Sequence, residues 1–300
     1  MIAVAVGGLA IASLAATAGP VAWPLALAEH FRLHYLVLAA AATAAAAAVR
    51  TWWLVDAGAL VAIVNLLAVA EYDHQRQLPR GPPHRLVSIN VLTENRDHAA
   101  VARFIASVHP EVLVLLEVDE RWLADLATVT AGFPHRVEAP RRDNFGIALY
   151  ARGSHATMTV HHLEGLPTIE AIVTLGPHPW RVIATHLMPP IGGAQVATGD
   201  RQRDGVVRLV RAGIAPTVVI GDLNATPWSH RFRALCAATG LEDSRLGFGV
   251  QASWPSELGW AGIPIDHALV SAELTVVHRS VGPDVGSDHR PIVVELADAR

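Results

Sequence analysis

An acid and an amide two positions apart, Asp222 and Asn224, follow the apolar run Pro216-Thr217-Val218-Val219-Ile220 in this 300-residue chain. Apolar or β-favouring residues in a row read as a buried strand, and Gly221 lets the chain turn at its end. Side chains alternate faces along a strand, so residues i and i+2 point the same way. A carboxylate and a carboxamide are thus aimed together into whatever cleft lies at the strand end. That pair suits metal-assisted attack of water on phosphorus, the carboxylate orienting or deprotonating the water and the amide donating to a phosphoryl oxygen. Asp-x-Asn is also an ordinary turn sequence, since both residues cap turns, so its weight comes from the rest of the chain.

Further strand-like runs end in the same manner. Leu86-Val87-Ser88-Ile89-Asn90 closes on an amide, Val112-Leu113-Val114-Leu115-Leu116-Glu117 on a carboxylate, and Val182-Ile183-Ala184-Thr185-His186 on an imidazole. Asp266-His267 leads into Ala268-Leu269-Val270, and Ser287-Asp288-His289-Arg290-Pro291 precedes Ile292-Val293-Val294-Glu295-Leu296. One polar residue where a strand meets solvent means nothing. The same arrangement at every one of these strands is hard to obtain by chance.

The order of these groups resembles the endonuclease/exonuclease/phosphatase superfamily, the fold of deoxyribonuclease I, apurinic endonucleases, neutral sphingomyelinases and inositol polyphosphate 5-phosphatases. The resemblance covers about residues 84–297. Gly221-Asp222-Leu223-Asn224 and Ser287-Asp288-His289-Arg290-Pro291 are its most specific pieces, and Asn144-Phe145-Gly146-Ile147-Ala148-Leu149-Tyr150-Ala151-Arg152 resembles the family's central strand. The family's Asp-Tyr pair is Asp266-His267 here, a departure expected to alter packing more than chemistry. A hard cation such as Mg2+, or Mn2+ in its place, keeps several waters and needs only one or two protein ligands. The resemblance implies Glu117 as its main ligand, with Asn90 beside it and Asp288 in some states. It implies Asp222 as positioner or base for the attacking water, Asn224 and His186 on the phosphate, and His289 as proton donor to the leaving oxygen. Asp266 would orient His289 through a hydrogen bond, and Asn144 and Trp254 would contact substrate.

Alternating strands and helices, with consecutive strands between about 145 and 187 and again after 263, fit a two-sheet α/β sandwich rather than a singly wound parallel sheet. A helix is expected from about 195 to 212, with Arg201, Arg203, Arg208 and Arg211 on its solvated face, and another around Phe232–Thr239 that takes Cys236 into the core. Trp228 and the loop Ser253-Trp254-Pro255-Ser256 with Trp260 are expected along the substrate path.

The N-terminus carries a different signal. Residues 2–28 hold no charged side chain, 33–49 lie between Arg32 and Arg50 without an acid or a base other than His34, and Trp52 to Ala70 has Asp56 as its one charged residue. A bilayer span needs about 20 mostly apolar residues, so three transmembrane segments are expected, roughly 2–24, 35–50 and 53–70. The domain plan is an anchor over 1–72, a stiff linker over 73–84 with Pro79, Gly81, Pro82 and Pro83, and a catalytic domain over 85–297. The arginines at 32, 50, 76, 80 and 85 do not fix the orientation. By resemblance to bacterial membrane-anchored members, the catalytic domain is expected on the outer face of a bacterial inner membrane.

Every one of the 23 basic side chains is arginine, and the formal net charge is −4. Nucleic-acid binders draw most of their affinity from a basic stripe, and the linear sequence shows none. No Cys-x-x-Cys or His-Glu-x-x-His spacing exists, which argues against zinc sites of those types, and a single cysteine excludes an intrachain disulfide. The implied activity is Mg2+-dependent phosphoester hydrolysis at a bilayer, with nucleic acid or a phospholipid head group as substrate and no obligate protein partner. The alternatives are a dedicated lipid phosphodiesterase of the sphingomyelinase kind and a non-catalytic membrane-binding protein on the same scaffold.

Overall fold

A computed structural model describes residues 1–19, 22–70, 78–213 and 216–299. The chain divides into two compact units. One contains residues 1–72, 189–197 and 225–234, and the other contains 73–188, 198–224 and 235–300.

The first unit is built on helices α1 (Ile2–Thr17), α2 (Trp23–Glu29), α3 (Arg32–Ala48) and α4 (Trp52–Val69). The expected first span, 2–24, does not form one helix: α1 has 16 residues, and Pro24 starts α2, where a proline fits the first turn but would break an interior. The middle segment begins earlier than expected and takes in Arg32 and His34. Among the described residues, only α4 is by itself long and apolar enough to cross a membrane, with 18 residues and a mean hydropathy of 1.9. The pair α2 and α3 passes the same test only jointly, bent by 63°. Val6, Ala46 and Leu54 pack together among α1, α3 and α4, and Asn65 of α4 donates to Ser13 Oγ of α1 at 2.7 Å.

The second unit is an α/β sandwich. Its chain order is β1 (Pro79–Asn90), α5 (His98–Val108), β2 (Val112–Leu116), α6 (Glu120–Thr130), β3 (His135–Ala139), β4 (Ile147–Ala151), β5 (Ala156–Leu163), β6 (Leu166–Thr174) and β7 (Pro179–His186). There follow α7 (Gly193–Ala212), β8 (Thr217–Asp222), α8 (His230–Thr239), β9 (Glu242–Asp243), a 3-10 helix (Ser256–Ala261), β10 (Asp266–Val270), β11 (Leu274–Val281) and β12 (Ile292–Ala299). Two six-stranded sheets result, ordered β11-β12-β1-β2-β4-β3 and β5-β6-β7-β8-β10-β9.

The alternation of side chains builds two cores. Leu86, Val112, Val114 and Leu116 point between the sheets, against Ile169, Val182, Val218 and Ile220 of the other. The residues between them, Val87, Ile89, Leu113 and Leu115, point outward and are covered by Phe104 and Ile105 of α5 and Trp122 and Leu126 of α6. Continuous apolar runs are what strands buried on both faces require.

Residues Pro79–His84, expected as linker, are the first half of β1: Pro79, Arg80 and His84 pair with β12, and Gly81, Pro82 and Pro83 lie in an irregularity between them. That stretch lacks a partner on its other side, since pairing with β2 starts only at Leu86. Prolines are tolerated there because no ladder bond needs their missing N–H. The rest of the expected linker lies outside the described residues, except Leu78. The helix expected near 195–212 is α7; Arg201 bonds to Glu164, Arg203 to Asp200 and Arg211 to Ala238 O, and Arg208 is exposed as expected. Cys236 in α8 is half-buried rather than core.

Each sheet contains one parallel pair, β1 with β2 and β7 with β8. Their C-terminal ends are where the sequence places Asn90, Glu117, His186 and Asp222.

Candidate active site

Register carries the first residues to one place. In the β7–β8 ladder His186 is opposite Asp222, and in the antiparallel β8–β10 ladder Asp222 is opposite Asp266. Gly221 makes this closeness possible, because a Cβ there would meet Thr185 O at 2.0 Å. On the other sheet, Glu117 leaves β2 in the left-handed region at φ 62°. Thr93 Oγ1 donates to its main-chain carbonyl at 2.9 Å.

Asn90 joins the two sheets' contributions. Its Nδ2 donates to Glu117 Oε1 at 2.9 Å and to Asp222 Oδ2 at 3.2 Å, and its Oδ1 accepts from Leu92 N. Asp222 Oδ2 also lies 3.4 Å from His186 Nε2 and 3.6 Å from His289 Nε2. His289 Nδ1 is 2.8 Å from Asp266 Oδ2. Asn224, at φ 48°, gives its main-chain N–H to Asp222 Oδ1 and donates its side-chain amide to Leu187 O at 2.8 Å. Its Nδ2 is also 3.3 Å from His186 Nε2.

Burial and charge set the protonation pattern. Burial, with Asp266 close by, pushes Asp222 up to about 8. Burial alone would lower His289, but Asp266 and Asp222 outweigh it and hold the imidazole up at about 10. Asp266 goes the other way: burial opposes ionisation, and the neighbouring His289 overcomes it to keep the carboxyl low. His186 is pushed down to about 4 by burial and by the charge of His289. At neutral pH the site thus holds one imidazolium, His289, and one neutral imidazole, His186. A neutral and a charged imidazole beside the same carboxylate can divide phosphate binding from proton donation.

Two carboxylate oxygens are conspicuous by their lack of partners. Glu117 Oε2 and Asp288 Oδ1 are buried and accept no hydrogen bond among the described residues. Burial raises the Glu117 carboxyl, and the nearby Asp288 adds to the effect. An unsatisfied buried carboxylate oxygen is costly, and hard oxygen donors are what a divalent cation selects. These residues therefore fit such an ion. Asp222, Asp266 and His289 also place ligand atoms within 4.8 Å of one another. There, however, His289 is already bonded to Asp266, and Asp222 accepts from Asn90 and Asn224. That trio has the character of a proton-transfer pair more than of a vacant ligand set.

The remaining sequence-derived residues lie nearby. Trp254 Nε1 donates to Asp288 Oδ2 at 3.0 Å, and its ring is 6.5 Å from that of His289. Asn144 is exposed at φ 63°, in the turn that delivers Phe145. Trp228 departs from expectation: it is buried and its Nε1 donates to His30 O, so it does not line a substrate path. Trp260 is exposed. His267 is buried and opposite Gly221 in the ladder, on the strand face away from Asp266.

Several supports have no role in the sequence reading. Ser287 Oγ donates to Asn90 O at 2.7 Å and accepts from His289 N at 3.1 Å, tying the strand end to the imidazole loop. Ser253 Oγ accepts from the main-chain N–H of Asp266. The Phe145 ring lies 4.8 Å from the His186 ring at 32°. The Ser-Asp-His run held Ser287 in plain view, but nothing in one dimension indicates what a serine bonds.

Residues 87–289 match the profile of the Endonuclease/Exonuclease/phosphatase family. The chain belongs to this family. Its members are divalent-metal-dependent phosphoester hydrolases. Among solved structures, D. rerio TDP2 complexed with a single-strand DNA product is 18% identical, with a TM-score of 0.58 over 71% of this chain and 98% of that one. A mannosyl-6-phosphatase from Bacteroides thetaiotaomicron is 17% identical, with a TM-score of 0.57 over 71% and 99%. A family member from Beutenbergia cavernae is 20% identical, with a TM-score of 0.53 over 73% and 72%. No curated protein matches the sequence. At these identities the likeness establishes the fold, the two-sheet sandwich of the deoxyribonuclease I type.

Proposed function

We propose that this chain is a membrane-anchored, Mg2+-dependent phosphodiesterase or phosphatase that directs water onto phosphorus. The observation that carries the reading is the convergence of Asp222, Asp266 and His289 within 4.8 Å, next to the unpartnered oxygens of Glu117 and Asp288. Asp222 accepts a proton from the attacking water. His289 donates the Nε2 proton to the leaving oxygen, while Asp266 holds Nδ1–H. Asn224 and His186, whose Nδ2 and Nε2 lie 3.3 Å apart, bind the phosphoryl oxygens. Mg2+ or Mn2+, when bound, would be held by Glu117 and Asp288 with Asn90 beside them and would neutralise charge on the phosphoryl group. Removing one group from such a set typically costs about 10²–10³-fold.

The anchor comprises residues 1–72, with α4 as the crossing that its length and apolar composition support best. On this reading the catalytic domain, 85–297, faces outward from a bacterial inner membrane. Nucleic acid as substrate is supported by the fold shared with a protein solved with single-strand DNA, and a sugar phosphate by the fold shared with a mannosyl-6-phosphatase. A lipid phosphodiester has its own support. Trp260 is 89% exposed and Leu258 55%, both on the 3-10 helix whose Ser256 bonds to Asp288 O and Ser287 O. Apolar side chains projecting beside a site suit a bilayer interface.

The deciding experiment is hydrolysis by the full-length protein in detergent with Mg2+, against plasmid DNA, sphingomyelin vesicles and a hexose 6-phosphate. Asp222→Ala and His289→Ala proteins serve as controls. Turnover of one substrate that both controls abolish assigns the class. Failure on all three, with no effect of EDTA on any property of the protein, would favour the non-catalytic binding protein instead.

A further inference from the structure

Two stretches that follow active-site residues group with the N-terminal helices and not with the sandwich. They are 189–197, shortly after His186, and 225–234, immediately after Asn224. Helix α2 and the residue after it gather the second stretch. His30 Nδ1 accepts from the main-chain N–H of Thr226 at 3.3 Å and lies 3.3 Å from Thr226 Oγ1. His30 O accepts from Trp228 Nε1 at 3.2 Å. The Glu29 carboxylate accepts from His230 N at 2.8 Å and meets His230 Nδ1 at 2.7 Å. Glu29, His30, Thr226 and Trp228 are all buried. Gly19 provides the room, since a Cβ there would lie 1.6 Å from Glu29 Oε1. At the other end of α2, Trp23 Cδ1 is 3.7 Å from where a Cβ on Gly193 would stand, so the helix also touches the first stretch.

A buried acid, a buried imidazole and two of their main-chain donors are an expensive arrangement to assemble merely to join a helix to a loop. The loop they grip starts two residues after Asn224, which sits at positive φ and has no strand partner to fix it. We infer that Glu29 and His30 are positioning residues for the reaction: by fixing Thr226, Trp228 and His230 they hold the preceding turn, and with it the Asn224 amide. The inference rests on the proposed role of Asn224 at the phosphoryl oxygens. It makes the N-terminal helices part of the catalytic apparatus and not only a tether, and it implies that the sandwich alone is a poorer enzyme than the whole chain.

The test uses the full-length protein in detergent with bis(4-nitrophenyl) phosphate and Mg2+, and compares His30→Ala, His30→Asn and Glu29→Gln with the unaltered chain. Asparagine presents Oδ1 close to where His30 presents Nδ1, so it keeps the acceptor for Thr226 N. The expected result for His30→Ala is a fall in kcat of about 10- to 100-fold with little change in KM, as displacement of a positioned group produces. His30→Asn recovers most of that loss. Deuterium uptake by the amides of 224–230, measured without substrate, rises in His30→Ala and returns towards the original level in His30→Asn. If His30→Ala does not fold, Trp228→Phe, which deletes only the donor to His30 O, replaces it. Unchanged uptake at these amides, or raised uptake with unchanged kcat, overturns the inference. If the unaltered protein does not hydrolyse the probe, the functional reading fails, and the uptake comparison still decides whether α2 fixes the turn.

Discussion

Asp222 and Asp266 are direct register partners at the open end of the β8–β10 ladder, two carboxylates 1% and 2% exposed. Like charges so placed cannot both ionise without help. His289 supplies it, with Nδ1 2.8 Å from Asp266 and Nε2 3.6 Å from Asp222. The two acids are driven apart: Asp266 stays ionised against the imidazolium, and Asp222 retains proton affinity. Separated proton affinities in neighbouring groups are what divides acid from base in a hydrolytic site.

The pH dependence follows from that division. The base must have lost its proton and the acid must keep it. With Asp222 raised to about 8 and His289 to about 10, kcat/KM climbs as Asp222 deprotonates and falls as His289 does. A cation held near Glu117 disfavours the proton on Asp222, so more Mg2+ moves the rising limb to lower pH and leaves the falling limb nearly in place. Profiles at two Mg2+ concentrations check this. A rate independent of pH from about 6 to about 9 would remove Asp222 from the role of base.

Asp266→Asn should lower kcat by about 10²–10³-fold. Its more diagnostic effect is on the basic limb, which should drop from about 10 towards the ordinary imidazole range once the carboxylate is gone. The paired residues should not act additively: Asp266→Asn combined with His289→Ala is expected to be little worse than His289→Ala alone. A double variant showing the product of both losses contradicts the coupling.

Glu117→Gln separates metal binding from folding. The Glu117 carboxyl is raised by burial, so in the metal-free protein its ionisation costs stability as pH rises through its folded-state value. Glutamine removes that cost. In EDTA near neutral pH the variant should melt no lower than the original, and at higher temperature if the carboxylate is ionised. Stabilisation by added Mg2+, which grows with ligand concentration over Kd, should shrink or vanish. Calorimetry with and without Mg2+ measures both, and an undiminished Mg2+ response would remove Glu117 from the ligand set.

Ser287→Ala leaves the Asn90 carbonyl and the His289 N–H without their shared hydroxyl. Each buried polar group so stranded costs about 1–3 kcal/mol, so urea unfolding should show a loss of about 2–6 kcal/mol for the two. Activity should fall as well, because the serine joins β1 to the imidazole loop. Ser287→Cys, a weaker donor, should lie between. Stability unchanged in Ser287→Ala would show that the bonds carry little.

How much of this was legible in one dimension depends on the range of the interaction. The strands were readable because an apolar run of β-branched residues and a period of two are local properties: Val112–Leu116 and Thr217–Asp222 announce themselves. Glu117, His186, Asp222, Asp266 and His289 were found at strand ends for the same reason, with the family's order supplying the rest. Residues 79–84 were read as linker because their prolines look like extended spacer, and only the pairing of Pro79, Arg80 and His84 with β12, more than 200 residues away, makes the stretch strand.

What tertiary structure decided is everything that depends on which strand end meets which. The sequence determined that an amide, a carboxylate or an imidazole would stand at each end. Sheet order and register determined that Asn90 would bridge Glu117 and Asp222, and that Asp222 and Asp266 would face each other across one ladder. Trp228 reads in the sequence as an aromatic beside substrate; the carbonyl of His30, far away in the chain, takes its indole N–H and buries it instead. Hydrogen bonds such as those of Ser287, and of Glu29 and His30 to residues 226–230, join groups that share no sequence neighbourhood. No periodicity encodes them, because their energy comes from burial that exists only once the chain has folded.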